Sequence, residues 1–281
     1  MRHAERTASD QTVAEGAALP ELADGDSYYV SLGGGRFRST IHAQGAWNAH
    51  EQHMAPASGI IAHCLALHDP RPGLRIARIS YEILGLIHAG EFEVTVRTLR
   101  PGRTIELLEA ELAAQGRVAI RANAWRLVTS DSSAVAAVED RPIPPIAECE
   151  RWDGSTEWPG GYIRSLEMHR AAGHRPGSGT VWIRTAHPLV GGAESPDWVR
   201  LIGLVDTANG IATRVPPGRG SWAFPNVDLQ VHMYREPRGE WLGIDNSVSF
   251  GTDGIGLTSS VLHDEQGPFG RAEQILTLRK S

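Results

Sequence analysis

The sequence HMAPASGIIAHCLALHDP occupies residues 53–70 and predicts a single buried helix. Pro56 suits the first turn of that helix, because the N–H that proline lacks would have no partner there. Asp69 and Pro70 end the segment. Between these limits the apolar residues recur at helical spacing, namely Ile60, Ile61, Cys64 and Leu65.

The segments on both sides of this helix predict β-strands. Before it, Tyr28–Val30 and Phe37–His42 read as a hairpin around three glycines, Gly33–Gly35. After it come four segments separated by turn signals: Ile76–Leu84, Phe92–Leu99, Thr104–Ala113 and Val118–Leu127. The first half of the chain is therefore expected to be a hairpin, one helix and a long antiparallel meander.

The second half repeats this order of elements. Ser195, Pro196 and Asp197 predict a helix start, since they combine an N-cap side chain, a proline and an acid in the first turn. Asn209-Gly210 is the predicted C-terminal cap. The predicted strands are Val181–His187, Val227–Tyr234, Trp241–Ser249, Ile255–His263 and Arg271–Arg279.

Short residue matches support a tandem duplication with a spacing of about 150 residues. Gly90-Glu91-Phe92 recurs as Gly239-Glu240-Trp241, and Ala124-Trp125-Arg126 is matched to Thr277-Leu278-Arg279. We therefore predict an α+β double hotdog, in which each of two helices is wrapped by a curved antiparallel sheet. The predicted divisions are a flexible leader at 1–25, a first hotdog at 26–130, a connector at 131–177 and a second hotdog at 178–281.

Composition excludes several classes of function. The formal net charge of −6 argues against nucleic acid and anionic membrane surfaces as partners, because both require a basic face. The two cysteines, Cys64 and Cys149, are too few and too far apart for a disulfide framework, which suits a cytoplasmic protein. His50, His53, His63 and His68 lack the converging ligand pattern of a metal site, so neither a metal nor another cofactor is expected.

Four further stretches occur in a specific order and at specific intervals. They are His53–Ala57, Ala77–Gly85 with Leu99–Arg103, Asn226–His232 with Pro237–Trp241, and Gly270–Gln274. In these stretches the chain resembles the acyl-CoA thioesterases of the thioesterase II type, in particular their actinobacterial branch. The resemblance covers nearly everything from about residue 28 onward, and it implies hydrolysis of an acyl-CoA or acyl-carrier thioester.

The resemblance also implies a catalytic trio of an aspartate, a serine or threonine, and a glutamine around a water in the second hotdog. Motif matching places these roles on Asp228, Ser249 and Gln274, with Ser247 and Thr252 as other candidates for the hydroxyl. Asp228 alternates with apolar residues, so a solvated sheet face is the competing interpretation. Gln274 falls on an apolar face, where its amide must find hydrogen-bond partners.

Substrate binding is predicted at the start of the first helix, on His53, Met54, Ala55 and Gly59. The family typically has a glycine pair where this chain has Met54-Ala55, and a methionine side chain narrows or redirects a channel. Gly59 is expected to restore some of that room.

Two other functions compete with hydrolysis, because a fold does not fix a function. One is a non-hydrolytic protein that binds an acyl or polyketide-like ligand. The other is a lyase or cyclase acting on a carrier-bound intermediate, with His53 or His232 as a second acid or base. In each case a homo-oligomer is expected.

Overall fold

The computed structural model describes residues 27–216 and 221–280. The predicted leader, residues 1–25, lies outside the described residues. Within them, none of the helices is long and apolar enough to cross a bilayer.

Four α-helices and five 3₁₀ turns accompany the strands in residues 27–216 and 221–280. The helices are α1 (Met54–Leu67), α2 (Gly161–Arg164), α3 (Asp197–Ile202) and α4 (Ala208–Ile211). The 3₁₀ turns are Ile41–Ala43, Ser133–Val135, Ile146–Glu148, Gly154–Thr156 and Val205–Thr207.

Fifteen strands are present in the described part of the chain, thirteen of them in one antiparallel sheet. The first half supplies β1 (Tyr29–Gly33), β2 (Arg36–Ser39), β3 (Leu74–Ile83), β4 (Glu91–Arg100), β5 (Ile105–Ala114) and β6 (Arg117–Val128). The second supplies β7 (Glu150–Trp152), β8 (Leu166–Arg170), β9 (Ser178–Thr185), β10 (Trp222–Ala223), β11 (Asp228–Met233), β12 (Leu242–Phe250), β13 (Ile255–Asp264), β14 (Gly267–Thr277) and β15 (Arg279–Lys280).

The large sheet is symmetric about its centre. Its order is β1-β2-β4-β5-β6-β3-β11-β14-β13-β12-β9-β8-β7, so the two halves meet where β3 pairs with β11. β10 and β15 form a separate small ladder. Each half thus repeats a hairpin and a meander in mirrored order.

Strand register shows the duplication at single-residue precision. Ile105 pairs with Leu127 in β5·β6, and Ile255 pairs with Thr277 in β13·β14, 150 residues further on. Both ladders also shift register at equivalent residues, Leu112 and Leu262. At this spacing Ala124 corresponds to Gln274. The sequence match of Ala124–Arg126 to Thr277–Arg279 is therefore wrong by three residues.

Helix α1 is buried along most of its length, and Pro56 lies in its first turn. A helix that is apolar on nearly all sides belongs in a core, and here the sheet wraps around it. The second helix differs from its prediction because it breaks into α3, a 3₁₀ turn and α4. Asn209 and Gly210 consequently lie inside α4 and do not cap the helix.

Two glycines approach each other closely where the second helix breaks. A Cβ on Gly59 of α1 would lie 2.9 Å from the Cα of Gly203, and α3 ends at Gly203. Any larger side chain at either position would push the two helices apart.

The contact predicts that Gly59→Ala will lower the midpoint of thermal unfolding. Accommodating the new Cβ beside the backbone of Gly203 costs about 1–3 kcal/mol. The higher helix propensity of alanine offsets about 1 kcal/mol of that cost. Gly85→Ala is the control, because a Cβ at Gly85 would meet nothing within 4 Å. Equal melting temperatures for both variants would contradict this account of the helix contact.

The predicted connector, residues 131–177, contains two strands of the sheet, β7 and β8. β8 pairs with β9 from Leu166 opposite Thr185, so the second half of the sheet reaches back beyond residue 178. The proline-rich part is irregular and lies against the sheet, where Trp182 Nε1 donates to the carbonyl of Pro144 at 2.8 Å.

Candidate active site

A buried carboxylate is the centre of the site. Asp206 lies in the 3₁₀ turn between α3 and α4, and its side chain is only 5% exposed. Its Oδ1 accepts two hydrogen bonds of 2.7 Å, one from Asn226 Nδ2 and one from Gln274 Nε2. These two amides fix the carboxylate in one orientation and leave Oδ2 for other partners.

Two strands supply the two amides. Gln274 is on the inner face of β14, between the buried residues Ala272 and Leu276. Asn226 directly precedes β11, and its Nδ2 also donates to the carbonyl of Asp228 at 3.0 Å. Asp206 is therefore the hydrogen-bond partner that a glutamine on an apolar face requires.

Asp228 does not join this group. Its Oδ1 accepts the backbone N–H of Ile275 at 2.7 Å, on the face of the sheet opposite Gln274. Its Oδ2 lies 3.4 Å from Gln230 Nε2. Because side chains alternate along a strand, neighbours of Leu229 on β11 must point outward when Leu229 points into the core. Asp228 thus lies apart from Gln274, with which the prediction grouped it, and its catalytic role stays a prediction.

The predicted hydroxyls are also remote from Gln274. Ser247 and Ser249 alternate with buried residues along β12 and are exposed, and Thr252 is exposed in the following turn. The buried hydroxyl opposite Gln274 is instead Thr258, on β13. The Asp206 carboxylate is bonded to two amide side chains, Asn226 and Gln274. Asn226 therefore stands where the prediction had a hydroxyl.

Sequence reasoning missed Asp206 and Asn226, although both left a signal. Asp206 directly follows Leu201, Ile202 and Val205, which are apolar residues at helical spacing, and a charged residue is unusual beside such a run. Asn226 opens the motif Asn226–His232 that was quoted for the family resemblance, two residues before Asp228.

His53 is the residue of the first half that reaches Asp206. It is the N-cap of α1, and its Nδ1 accepts the backbone N–H of Ala55 at 3.1 Å. The acceptor role of Nδ1 places the ring proton on Nε2. The ring also packs on Tyr162, with 4.3 Å between the ring centroids.

Burial sets the charge of both groups. Desolvation lowers the pKa of His53 to about 3, so the ring is neutral at physiological pH. Desolvation raises the pKa of Asp206 to about 7, against the opposing effect of the hydrogen bonds from Asn226 and Gln274. The 3.6 Å approach of His53 Nδ1 to Asp206 Oδ2 is therefore not an ion pair.

Asp206 and His53 line a cavity of about 560 Å³ between the two halves of the chain. Met54, the first residue of α1, is another lining residue, whereas Ala55 is fully buried behind the histidine cap. Glu51 also lines the cavity, and burial raises its pKa to about 7. The cavity thus joins two carboxyl groups, a neutral histidine and a helix N-terminus.

Two predicted residues lie elsewhere. Gly59 packs against Gly203 between the helices and provides helix contact instead of room for a substrate. His232 is exposed on the outer face of β11. Among residues 27–216 and 221–280, no three histidine, cysteine or carboxylate side chains are grouped as a metal site would need.

Two family models match the chain. Residues 43–127 match the acyl-CoA thioesterase N-terminal domain, and residues 145–278 match the acyl-CoA thioesterase C-terminal domain. The chain belongs to the acyl-CoA thioesterase family. No protein of curated function matches it by sequence.

Solved structures place this thioesterase-family chain in the double-hotdog fold and confirm that prediction. A hot dog fold protein of unknown function from Alicyclobacillus acidocaldarius matches with a TM-score of 0.72 and 13% identity, covering 91% of this chain and 97% of that chain. The acyl-CoA thioesterase II TesB2 from Mycobacterium marinum matches with a TM-score of 0.63 and 16% identity, covering 90% and 95%. The dehydratase domain of RzxB from Pseudomonas fluorescens matches with a TM-score of 0.51 and 14% identity, covering 87% and 94%.

Proposed function

We propose that this member of the acyl-CoA thioesterase family hydrolyses acyl-CoA or acyl-carrier thioesters, with Asp206 as the general base. The observation that carries the proposal is the arrangement of the Asp206 carboxylate. Asn226 and Gln274 hold its Oδ1, and its Oδ2 is left at the cavity beside a neutral His53. A water hydrogen-bonded to Oδ2 is oriented by a base whose own position is fixed.

The start of α1 supplies the groups that stabilise negative charge on the thioester oxygen. The N–H of Met54 is at the first helical position, where no intrahelical acceptor exists, and the helix dipole favours an anion there. The Nε2–H of His53 is a second donor, because Nδ1 is occupied by Ala55. Such preorganised donors commonly contribute the largest share of rate enhancement in acyl transfer.

In the proposed reaction, Asp206 takes one proton from the water while the water oxygen forms a bond to the thioester carbon. The tetrahedral intermediate then collapses, the carbon–sulfur bond breaks, and the thiolate leaves. Asp206 returns its proton to the leaving sulfur. The products are a carboxylic acid and a free thiol, and the carboxylate is regenerated.

The raised pKa of Asp206 predicts an acidic limb in the activity profile. A base must be deprotonated to act, so kcat/KM should rise about tenfold per pH unit below about 7 and level off above it. Thiol release from one acyl-CoA measured between pH 5 and pH 9 tests this. A limb near pH 4 would show that the base is an ordinary exposed carboxylate.

Dehydration of a β-hydroxyacyl thioester is the second candidate. The observation that favours it is the pairing of His53 from one half with Asp206 from the other, in a fold shared with a dehydratase domain. Against it stands the state of His53. A ring with Nδ1 already accepting a hydrogen bond and a pKa of about 3 is a poor base for removing a proton from carbon.

A single panel separates the candidate functions. Wild-type protein is given saturated, arylacyl and β-hydroxyacyl thioesters of CoA, and free thiol is measured beside absorbance of the conjugated enoyl thioester. Thiol release supports hydrolysis. Enoyl formation without thiol release supports dehydration, and tight binding without either product supports a non-hydrolytic binding protein.

A further inference from the structure

Two side-chain amides that line the Asp206 cavity carry a buried oxygen without a partner. They are Gln52 from the first half of the chain and Asn209 from the second, which are 3% and 8% exposed. Within residues 27–216 and 221–280, neither Gln52 Oε1 nor Asn209 Oδ1 has a hydrogen-bond partner. A buried acceptor without a donor destabilises a fold, so such an oxygen in a cavity-lining residue is a candidate contact for a ligand.

The orientation of each amide is fixed by its nitrogen. Gln52 Nε2 donates to the carbonyl of His88 at 2.8 Å, and Asn209 Nδ2 donates to the carbonyl of Phe224 at 3.1 Å. Because a carbonyl oxygen only accepts, the NH₂ group must face it in both residues, and a flipped amide would place two oxygens together. Both amides therefore offer an acceptor, and not a donor, to a further partner.

Both amides belong to the segments that carry His53 and Asp206. Gln52 directly precedes His53, and Asn209 follows Asp206 by three residues, which is close to one helical turn. His53 and Asp206 themselves approach to 3.6 Å, between Nδ1 and Oδ2. The two acceptors thus belong to the parts of the chain that are proposed to act on the thioester.

The chemistry of a thioester substrate restricts the donors that these oxygens can meet. The thioester group and a saturated acyl chain contain no N–H or O–H group. The donors are in the pantetheine arm, which CoA and acyl-carrier proteins share. This arm has two amide N–H groups and, further from the sulfur, a hydroxyl. The nearer amide is separated from the sulfur by a short ethylene link, so it stays beside any site that holds the thioester.

We infer that Gln52 Oε1 and Asn209 Oδ1 accept hydrogen bonds from the amide N–H groups of the pantetheine arm. The inference rests on the proposed hydrolysis and assigns residues to the arm of the same substrate. The donors at the start of α1 serve the thioester oxygen, and the two amide oxygens bind the arm. The substrate class is therefore a pantetheine thioester, whichever carrier bears the arm.

A pair of substrates that differ in a single N–H group tests the inference on the wild-type protein. Octanoyl-N-acetylcysteamine keeps the nearer amide of pantetheine, and the acetoxyethyl thioester of octanoic acid has an ester oxygen in place of that N–H. The value of kcat/KM should be about tenfold or more lower for the ester, because an acceptor then faces an acceptor. Equal values for the two substrates would overturn the inference.

Replacement of each amide by an apolar side chain of similar size tests the two residues. Gln52→Met and Asn209→Leu should each lower the preference for octanoyl-pantetheine over the S-propyl thioester of octanoic acid, measured as a ratio of kcat/KM, by about three- to tenfold. Asn246→Leu is the matched control. Asn246 is also a buried amide, but its Nδ2 donates to the carbonyl of Ala208 and its Oδ1 accepts from Ser260 Oγ. It should keep the wild-type ratio, and wild-type ratios in both test variants would contradict the inference.

Binding measured without turnover separates this inference from the proposed function. S-octyl-pantetheine, a thioether that cannot be hydrolysed, is titrated calorimetrically into wild type, Gln52→Met and Asn209→Leu. Affinity that is about three- to tenfold lower in the two variants supports the inference. If wild type then hydrolyses no thioester, only the proposed function is overturned. Hydrolysis of octanoyl-pantetheine by wild type, with unchanged thioether affinity in both variants, would overturn only the inference about the arm.

Discussion

Asp206→Asn should lower kcat for thioester hydrolysis by about 10²–10⁴-fold, the usual range for loss of a general base. The asparagine oxygen can still accept the hydrogen bonds that Asn226 and Gln274 give to Oδ1, so the shape of the site is kept. The amide nitrogen that replaces Oδ2 cannot take a proton from water. Thiol release under saturating substrate measures the effect.

Asp228→Asn is the matched control for this variant. Asp228 belongs to the same half of the chain and can be replaced by asparagine in the same way. Its carboxylate, however, accepts the backbone N–H of Ile275 on the outer face of the sheet. Its kcat should stay within about threefold of wild type. A collapse of activity in Asp228→Asn with normal activity in Asp206→Asn would return the role of base to the residue that the sequence motif indicated.

Asp206→Asn should also be more stable than the wild type, by a margin that grows as pH rises. In the unfolded chain the carboxyl has its ordinary pKa of 3.8, and in the folded chain the pKa is about 7. Between these values the folded state binds the proton more tightly, so the contribution of Asp206 to wild-type stability falls as pH rises from about 4 to 7. The full cost, on the order of 4 kcal/mol, is present above pH 7 and is absent for asparagine.

Thermal unfolding at pH 4.5, 6 and 8 measures this difference. The melting temperature of Asp206→Asn minus that of wild type should increase with pH, by roughly 8 °C or more over the series for a chain of this size. Asp228→Asn is measured in the same series as the control for an Asp→Asn substitution elsewhere in the same half of the chain. A constant difference across the series would mean that Asp206 ionises normally in the folded protein.

Both expected effects have one cause, the burial of the Asp206 carboxylate. A buried carboxylate held by two amides costs folding free energy at neutral pH. The same burial gives Asp206 a pKa close to the pH at which a base is most useful. The Asp206→Asn variant therefore tests the effect on activity and the effect on stability with one substitution.

Local sequence patterns were sufficient for α1 and for the order of the meander strands, but not for β7 in the predicted connector or for the break in the second helix. The apolar spacing of residues 53–70 and the alternation of the meander segments depend on neighbours within one element, which the sequence shows directly. The tandem duplication was equally visible, although short matches placed Ala124–Arg126 three residues away from their true counterparts. Only paired strands with a shared register shift near Leu112 and Leu262 fix that correspondence.

The strand register shows which residue of the first repeat corresponds to Gln274. Gln274 of the second repeat corresponds to Ala124 of the first, so the amide that holds the site carboxylate occurs in one repeat and is replaced by a methyl group in the other. The predicted homo-oligomer remains a prediction.

The sequence by itself determined the buried helix, the duplicated meander and the family, and it indicated Gln274 as a candidate for the site. Each of these follows from spacing within a short segment or from motifs in fixed order. The tertiary structure decided which acid meets that glutamine, because Asp206 and Gln274 are 68 residues apart and come together only when the second helix breaks beside Gly203. It also placed Asp228 apart from that glutamine, since a strand sends adjacent side chains to opposite faces and only burial shows which face is the core.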